Sequence, residues 1–426
     1  MKGRGLVSTI IPVFNRPAMV TEAVAGVLNQ TYSDVEVIVV DDGSTDETWK
    51  TCQRLALRDK RVKIRRIEHV GRPGLVREVG RVLARGEYIQ YLDSDDLIPP
   101  ERFARMIETL NEREPADLAY CLTRRYSLGQ QPEWRPAGRT GETHTRIFPE
   151  ILSERPWFSS SVLYRRAICD RAGPWSDLPF MEDVELDARI GRFGATVRHC
   201  PEFLADMRDH SGERVSRQDL LERTDLLKDA VRAYSMIFSH ARAAGVTATE
   251  IPMILFLEEV RLLASRAGKL LLPEESSTCA QIIETAFGPT ANAGLTLDAE
   301  IEPVRTDLTL KAGATTTCPV RIRNRSAISF REGRWPVHLS YHLLSPSGDL
   351  LQFDNRRTPF QQILWPGEKR IVDLQIEAPN FPGDYVLRID LVLERVSWFE
   401  WEGVRPGIVH LRVEDATGVE PAAVDG

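Results

Sequence analysis

Carboxylates gathered at the ends of apolar segments are the residues of this 426-residue chain best placed to do chemistry. VIVVDDGSTDET at residues 37–48 closes one apolar run with Asp41 and Asp42, and EYIQYLDSDDLIPP at residues 87–100 closes another with Asp93, Asp95 and Asp96. Carboxylate oxygens are hard ligands suited to Mg²⁺ or Mn²⁺, which take a few of them and complete their shells with substrate phosphate oxygens. Crowded carboxylates in DSDD repel one another unless a cation or hydrogen bonds compensate. The plain alternative is an acidic turn capping the helix that starts near Pro100. The matching acidic edge at Asp41 and Asp42 favours the cation. Glu182 and Asp183, in LPFMEDVELDARI, form a third acidic pair at the start of a helical pattern. A positioned carboxylate there is a candidate general base, or again a helix cap, since acidic residues favour a first turn.

An aspartate cluster just past a buried strand sits at the carboxyl edge of a parallel sheet, where open α/β folds bind ligands. Strands are expected at residues 6–12, 35–40, 62–67, 87–92 and 117–121. Val20, Val24, Val27 and Leu28 recur at helical spacing, and residues 75–84 and 101–110 are further helix candidates. This alternation predicts a mostly parallel α/β sheet with right-handed crossovers. Residues 122–150, rich in Arg, Gly, Pro and Gln, read as a long irregular excursion. The first domain is expected over residues 1–216. A helical connector follows over 217–290, with helical periodicity at 219–244 and 254–272. Residues 291–415 turn to short alternating runs divided by SPSGD, WPGEK and FPGDY, the pattern of an antiparallel, Ig-like β-sandwich. Residues 416–426 have no packable face and are expected to be a disordered tail.

Composition excludes several classes. A formal charge of −7 argues against a nucleic-acid partner. The six cysteines are scattered without metal-ligand spacing, as in a protein of a reducing compartment. MKGRG runs directly into a strand, leaving no room for a signal peptide, and no apolar stretch reaches membrane-span length. The expected location is cytoplasmic, with any membrane contact peripheral at the inner face. EEVRLLASRAGKLLL at residues 258–272 offers Arg261, Arg266 and Lys269 to a membrane surface, but a bundle helix is the favoured reading of so short and mixed a segment.

STIIPVFNR, LNQTYSDVEVIVVDDGSTDET, GEYIQYLDSDD and FMEDVELDARIGRFG, in that order, resemble a family-2 glycosyltransferase over residues 6–216. The resemblance implies a GT-A fold, the Rossmann-like fold of nucleotide-diphospho-sugar transferases. It implies that Pro12 and Asp42 lie against the nucleotide base with Asp41 beside them; a carboxylate accepting from a base N–H favours uracil or thymine, hence UDP or dTDP. Asp93 and Asp95 match the DxD signature. Asp95 is expected as a direct ligand of Mn²⁺ or Mg²⁺, and Asp93 as a ribose or water-mediated contact. Asp183 matches the family's general base for an inverting displacement, which needs no protein nucleophile. His210 stands where many relatives place a histidine near the metal. Arg77 fits a diphosphate or nucleotide contact, although Glu78 replaces the asparagine usual beside it. Trp157 and Trp175 flank the acidic pair and offer faces to a sugar, though tryptophan more often fills a core.

The C-terminal segment, from VRIRNRS to VSWFEWEG, resembles the carbohydrate-binding domain of O-antigen export ATPases. Trp365, Trp398, Phe399 and Trp401 are its candidate sugar-facing aromatics, with core packing the alternative for each. The expected function is an inverting glycosyltransferase that moves a sugar from a nucleoside-diphosphate sugar to a hydroxyl of a growing, lipid-linked glycan of O-antigen or capsule type. Polysaccharide-assembly proteins are expected partners. The rivals are a sugar nucleotidyltransferase, which usually needs a Gly-rich phosphate loop that PVFNRPAM lacks, and a glycan-binding protein with an inactive transferase domain. Retention of Asp42, Asp95 and Asp183 together disfavours the second.

Overall fold

The computed structural model describes residues 3–415 except 113, 128, 131, 133, 210–223, 288–295, 334–335 and 395. The expected tail and His210 therefore lie outside the described residues. The chain divides into two compact units, Met1–Asn292 and Ala293–Gly426.

The first unit is built on β1 (Gly3–Val13), α1 (Pro17–Leu28), β2 (Val35–Asp41), α2 (Thr48–Arg58), β3 (Val62–Arg66), α3 (Pro73–Leu83), β4 (Gly86–Tyr91), α4 (Arg102–Asn111), β5 (Leu118–Ser127), β6 (Val162–Arg165), α5 (Arg166–Ala172), α6 (Glu182–Gly191) and β7 (Val197–Asp209). The sheet order is β3-β2-β1-β4-β6-β5-β7. β1 pairs in parallel with β2 and β4, and every residue of β2 is buried, which explains its unbroken Val/Ile run. The sheet is more mixed than expected. β6 lies antiparallel between β4 and β5 because an irregular segment, not a crossover helix, delivers the chain to it. The excursion is also shorter than the composition implied, since β5 continues to Ser127 alongside β7.

Tight approaches fix the edge where the strands end. Gly43 has φ +70°, and a Cβ there would lie 2.7 Å from the His69 backbone nitrogen. A Cβ on Gly74, in the first turn of α3, would lie 2.6 Å from the Ser176 carbonyl oxygen and 3.2 Å from Glu182 Cγ, so glycine lets α3 close on the start of α6.

The helices expected as a connector, α7 (Thr224–Ala243) and α8 (Ile251–Leu270), are joined by an unexpected α9 (Pro273–Phe287) and fall within the first unit. His240 on α7 reaches Glu185 on α6 at 3.1 Å, and Tyr234 donates to Glu259 on α8 at 2.6 Å. Leu255, Phe256, Val260, Leu262 and Leu263 of α8 are buried, as a bundle helix requires.

The second unit comprises β8 (Ala299–Pro303), β9 (Asp307–Lys311), β10 (Thr315–Asn324), β11 (Val337–Leu344), β12 (Leu350–Gln352), β13 (Thr358–Pro359), β14 (Lys369–Glu377), β15 (Gly383–Leu393), β16 (Ser397–Trp398) and β17 (Gly407–Glu414). One sheet has the order β14-β10-β8 and the other β12-β11-β15-β17-β9. Alternate residues Val320 and Ile322, Leu374 and Ile376, Leu387, Ile389 and Leu391, and Val409 and Leu411 make its core. The pairing is antiparallel except between β17 and β9, which run parallel.

Candidate active site

β1 ends in a turn that Asn15 makes possible by adopting φ 51°, a conformation asparagine tolerates better than most residues. Asn15 Oδ1 accepts from the Thr45 backbone N–H at 2.9 Å, and the Arg16 N–H donates to Thr48 Oγ1 at 2.8 Å. The loops after β1 and β2 are thereby tied together. Pro12 sits opposite Val40 in the β1–β2 register. Asp42 accepts backbone N–H groups from Val70 at 2.8 Å and Gly71 at 3.0 Å, and His69 Nδ1 lies 3.0 Å from Asp42 Oδ2. Its carboxylate thus shapes the loop leading into α3. Asp41 is fully buried; Arg66 Nε lies 3.2 Å from its Oδ2, close enough for charge pairing, yet neither oxygen has a hydrogen-bond partner among the described residues. The Phe14 ring stacks on His69 at 4.2 Å beside them, with Phe14 partly exposed.

At the end of β4, the repulsion implied by DSDD is offset by arginines and one serine. Asp93, whose side chain is 36% exposed, accepts from Arg77 Nη2 at 2.7 Å. Asp95 is buried, with Oδ2 3.1 Å from Arg16 Nη1 and its backbone oxygen held by Arg208 Nε at 2.6 Å. Asp96 turns inward and accepts from Ser160 Oγ at 2.5 Å. Of the three, Asp93 is the most open.

Met181 precedes α6 at φ 58°, a left-handed conformation uncommon for a residue with a Cβ. It launches the helix with Glu182 and Asp183 in its first turn. Glu182 accepts from Arg77 Nη1 at 2.6 Å. One buried guanidinium, lying 5.1 Å from the Trp175 ring centroid, therefore joins the acidic end of β4 to the first turn of α6. Asp183 accepts from Arg155 Nη1 at 2.6 Å and Ser159 Oγ at 3.0 Å. Arg155 also donates from Nε to Asp187 at 2.7 Å, and Asp187 in turn accepts from Trp157 Nε1 at 2.8 Å and Tyr164 at 2.7 Å.

These contacts drive the two neighbouring carboxyls apart. Burial pushes Glu182 up, the charge of Asp183 adds to it, and Arg77 only partly opposes them, leaving Glu182 raised to about 7. Burial also acts upward on Asp183, but Arg155, Arg77 and the Ser159 hydrogen bond outweigh it and hold Asp183 below the ordinary aspartate value. An ionised and a readily protonated carboxyl thus sit side by side.

The structure brings Asp93, Glu182 and Asp183 together through Arg77, and holds Asp95 beside Arg16. One sequence expectation changes. Arg77 has its guanidinium taken up by Asp93 and Glu182, so in this conformation it is an internal strut and does not present itself to a diphosphate. Trp157 is 1% and Trp175 5% exposed, so both fill the core, the commoner use of tryptophan. Arg155, Ser159 and Arg16 were not legible as site residues, because their partners are 28, 24 and 79 residues away. A divalent cation fits the donor set: Asp93 and Asp95 are hard oxygen ligands at one strand end, and both are now matched by guanidinium charge.

In the second unit, Phe399 is buried in the core against Phe330, and Trp398 is 6% exposed beneath Arg357. Trp365 is partly buried, while Trp401 is 65% exposed and stacks on Phe353 at 6.0 Å, an aromatic the sequence did not single out.

Residues 8–171 match the family model described as glycosyl transferase family 2. Among curated relatives, the chain is 37% identical over 108 residues to glycosyltransferase GlyG of Streptococcus pneumoniae, a match covering 25% of this chain and 35% of that protein. It is 26% identical over 274 residues to the uncharacterized glycosyltransferase EpsJ of Bacillus subtilis, covering 62% of this chain and 78% of that protein. The matched segment thus spans about a third of GlyG. The fold resembles S. aureus TarS 1-349 in complex with UDP-GlcNAc, with TM-score 0.50 and 20% identity over 66% of this chain and 81% of that one.

Proposed function

We propose, from a chain whose residues 8–171 form a family-2 glycosyltransferase domain in a GT-A fold, that the protein is a metal-dependent, inverting glycosyltransferase. The observation that carries this reading is the Arg77 strut, which joins Asp93 to Glu182 and so brings the first turn of α6, with Asp183, to the acidic end of β4. The donor is a nucleoside-diphosphate sugar, with UDP or dTDP favoured, bound where β1 and β2 end at Pro12, Asp41 and Asp42. The acceptor is a hydroxyl of a growing lipid-linked glycan of O-antigen or capsule type, and the protein works from the cytoplasm, in contact with polysaccharide-assembly partners at the inner face of the membrane. No helix among the described residues is long and apolar enough to cross a membrane.

Asp183 accepts the proton of the acceptor hydroxyl. The hydroxyl oxygen forms its bond to the anomeric carbon from the face opposite the leaving nucleoside diphosphate, the bond from that carbon to the diphosphate oxygen breaks, and the configuration inverts. A base held below the usual aspartate range is serviceable here because the attacking hydroxyl grows acidic as its bond to an electron-poor carbon forms. Arg155 and Ser159 aim the Asp183 carboxylate. Mn²⁺ or Mg²⁺ held by Asp95 and Asp93, with His210 as a further candidate ligand, would neutralise charge on the departing diphosphate. In the second unit, Trp401 with Phe353 is the proposed contact for glycan.

A panel of nucleotide sugars, screened for thermal stabilisation with Mn²⁺, identifies the donor, since a ligand that binds only the folded state raises its stability. Donor hydrolysis that needs metal and is lost in Asp183→Asn supports transfer. Stabilisation without turnover on any donor or acceptor would leave the chain a glycan-binding protein.

A further inference from the structure

The second unit buries polar residues on the wrong side of a sheet. β11 and β15 pair with Ser340 opposite Asp390 and His342 opposite Arg388, so these residues share one face. The alternate residues Leu339, Tyr341, Ile389 and Leu391 point into the core, which makes the shared face the outer one. Yet Ser340, His342 and Asp390 are at most 1% exposed. Ser340 Oγ donates to the carbonyl oxygens of Asn355 and Arg356, and the Trp398 ring lies 4.4 Å from His342. Two chain segments thus cover groups that ordinarily stay in water, an arrangement that costs free energy unless hydrogen bonds or a ligand satisfy them.

The hydrogen bonds define what that ligand would meet. His342 Nδ1 bonds the Phe353 carbonyl oxygen, which can only accept, so Nδ1 carries the proton and Nε2 keeps its lone pair. Nε2 makes no hydrogen bond among the described residues. Asp390 accepts the Leu391 N–H at 2.8 Å on one oxygen and the Glu400 N–H at 3.0 Å on the other, which fixes the carboxylate and leaves lone pairs on both. One ring nitrogen of His342 and one carboxylate oxygen each from Asp390 and Glu400 lie within 4.8 Å of one another. Ligands about 2.0–2.2 Å from a common ion stand no more than about 4.4 Å apart, so the cluster needs to contract by only a few tenths of an ångström. We propose that His342, Asp390 and Glu400 form a second divalent-metal site, selective for Zn²⁺ or Mn²⁺ and separate from the donor site.

The surroundings match what such a site requires. A ligating imidazole commonly gives its other N–H to a backbone carbonyl, and ligating carboxylates are themselves hydrogen-bonded. His342 meets the first condition through the Phe353 carbonyl, and Asp390 meets the second through the Leu391 and Glu400 N–H groups. Arg388 Nε, 3.3 Å from Glu400, is the competing cation, and Glu400 would exchange it for the metal. One nitrogen with two carboxylates suits Zn²⁺ or Mn²⁺ better than Mg²⁺ or Ca²⁺, which take oxygen donors.

The test uses the full chain carrying Asp95→Ala, which removes the proposed donor-site ligand, with Zn²⁺ alone as the probe. Isothermal titration should find one Zn²⁺ per chain. Losing a second-shell partner typically weakens a metal about 10–100-fold; His342→Gln or Asp390→Asn, which remove ligands outright, should weaken Zn²⁺ more than about a hundredfold. Should those variants fail to fold, Cu²⁺ bound to the Asp95→Ala chain should show imidazole-nitrogen coupling in pulsed electron paramagnetic resonance. No bound Zn²⁺ in the Asp95→Ala chain, unchanged affinity in folded variants, or no nitrogen coupling would overturn the site. None of these outcomes bears on transferase activity.

Discussion

Replacing Arg155 with glutamine should move the acid limb of the pH–rate profile upward, because Arg155 is the main counterweight to the burial of Asp183. Its Nη1 lies 2.6 Å from Asp183 Oδ2, which puts the two charge centres about 4 Å apart. At an effective dielectric of about 20, that pair is worth about 4 kcal/mol. Arg77 and Ser159 still hold the carboxylate in the variant, and the Asp183 side chain is 28% exposed, so part of this is lost to screening. A rise of the acid limb of kcat/KM into the pH range where the protein is still folded is the expected result. The sign follows from the depressed value: in wild type, stability from Asp183 is present above its unfolded pKa near 3.8 and is lost only as pH falls through the lower folded value. Wild-type activity should therefore stay flat down to pH values where the protein itself unfolds, whereas Arg155→Gln should lose activity while still folded. Arg155→Gln also removes the cation paired with Asp187, which keeps its Trp157 and Tyr164 hydrogen bonds, so a drop of about 3–5 kcal/mol in stability is expected, as when a buried pair loses one partner. Arg155→Lys keeps the charge and should show a smaller displacement. An unchanged acid limb in a folded Arg155→Gln enzyme would refute the assignment of Asp183 as the titrating base.

Other outcomes follow from the same geometry. Asp95→Ala should abolish transfer and weaken nucleoside-diphosphate binding by calorimetry in a chain that still folds, because removing one of several crowded carboxylates relieves repulsion; full activity in EDTA would count against it. Asp183→Asn should lower turnover about a hundredfold or more with donor affinity little changed, since the amide keeps the size but cannot take a proton. Glu182 binds its proton more tightly when folded, so its stabilisation is complete below about 4.5 and is lost as pH rises through about 7. Glu182→Gln should accordingly flatten melting temperature against pH across that window, a difference of up to about 3 kcal/mol. Cutting the chain after residue 292 should preserve metal-dependent donor hydrolysis and reduce efficiency on long acceptors more than short ones, because a tethered site raises local concentration only for acceptors that span both; equal kinetics on both lengths would remove the glycan role of the second unit.

What the sequence disclosed and what it hid divide along the reach of each interaction. β1, β2 and β4 were legible because a strand buried on both faces must be an unbroken apolar run, and its acidic end must then lie at the sheet's carboxyl edge. α2 was not legible: TWKTCQRLALR puts only Thr48, Thr51 and Cys52 in the buried face, so its apolar stripe is too thin to announce a helix. β6 is only four residues long and its antiparallel placement depends on where an irregular segment returns, which no local pattern encodes. The same limit governs the site. Asp93, Asp95 and Asp183 could be singled out from their acidic motifs and the family resemblance, but the cations that pair with them, Arg77, Arg16 and Arg155, are three among many arginines with nothing local to distinguish them. A motif names the groups that do chemistry, while the charge environment that tunes them is assembled by tertiary contacts. That division explains why Arg77 read as a ligand for phosphate and folded as a strut: a lone cation beside acidic motifs is drawn to whichever anions the fold brings nearest, and here the fold itself supplies Asp93 and Glu182. A bound diphosphate would have to compete with both carboxylates for that guanidinium, which makes Arg16, 25% exposed beside Asp95, the better placed of the two to meet it.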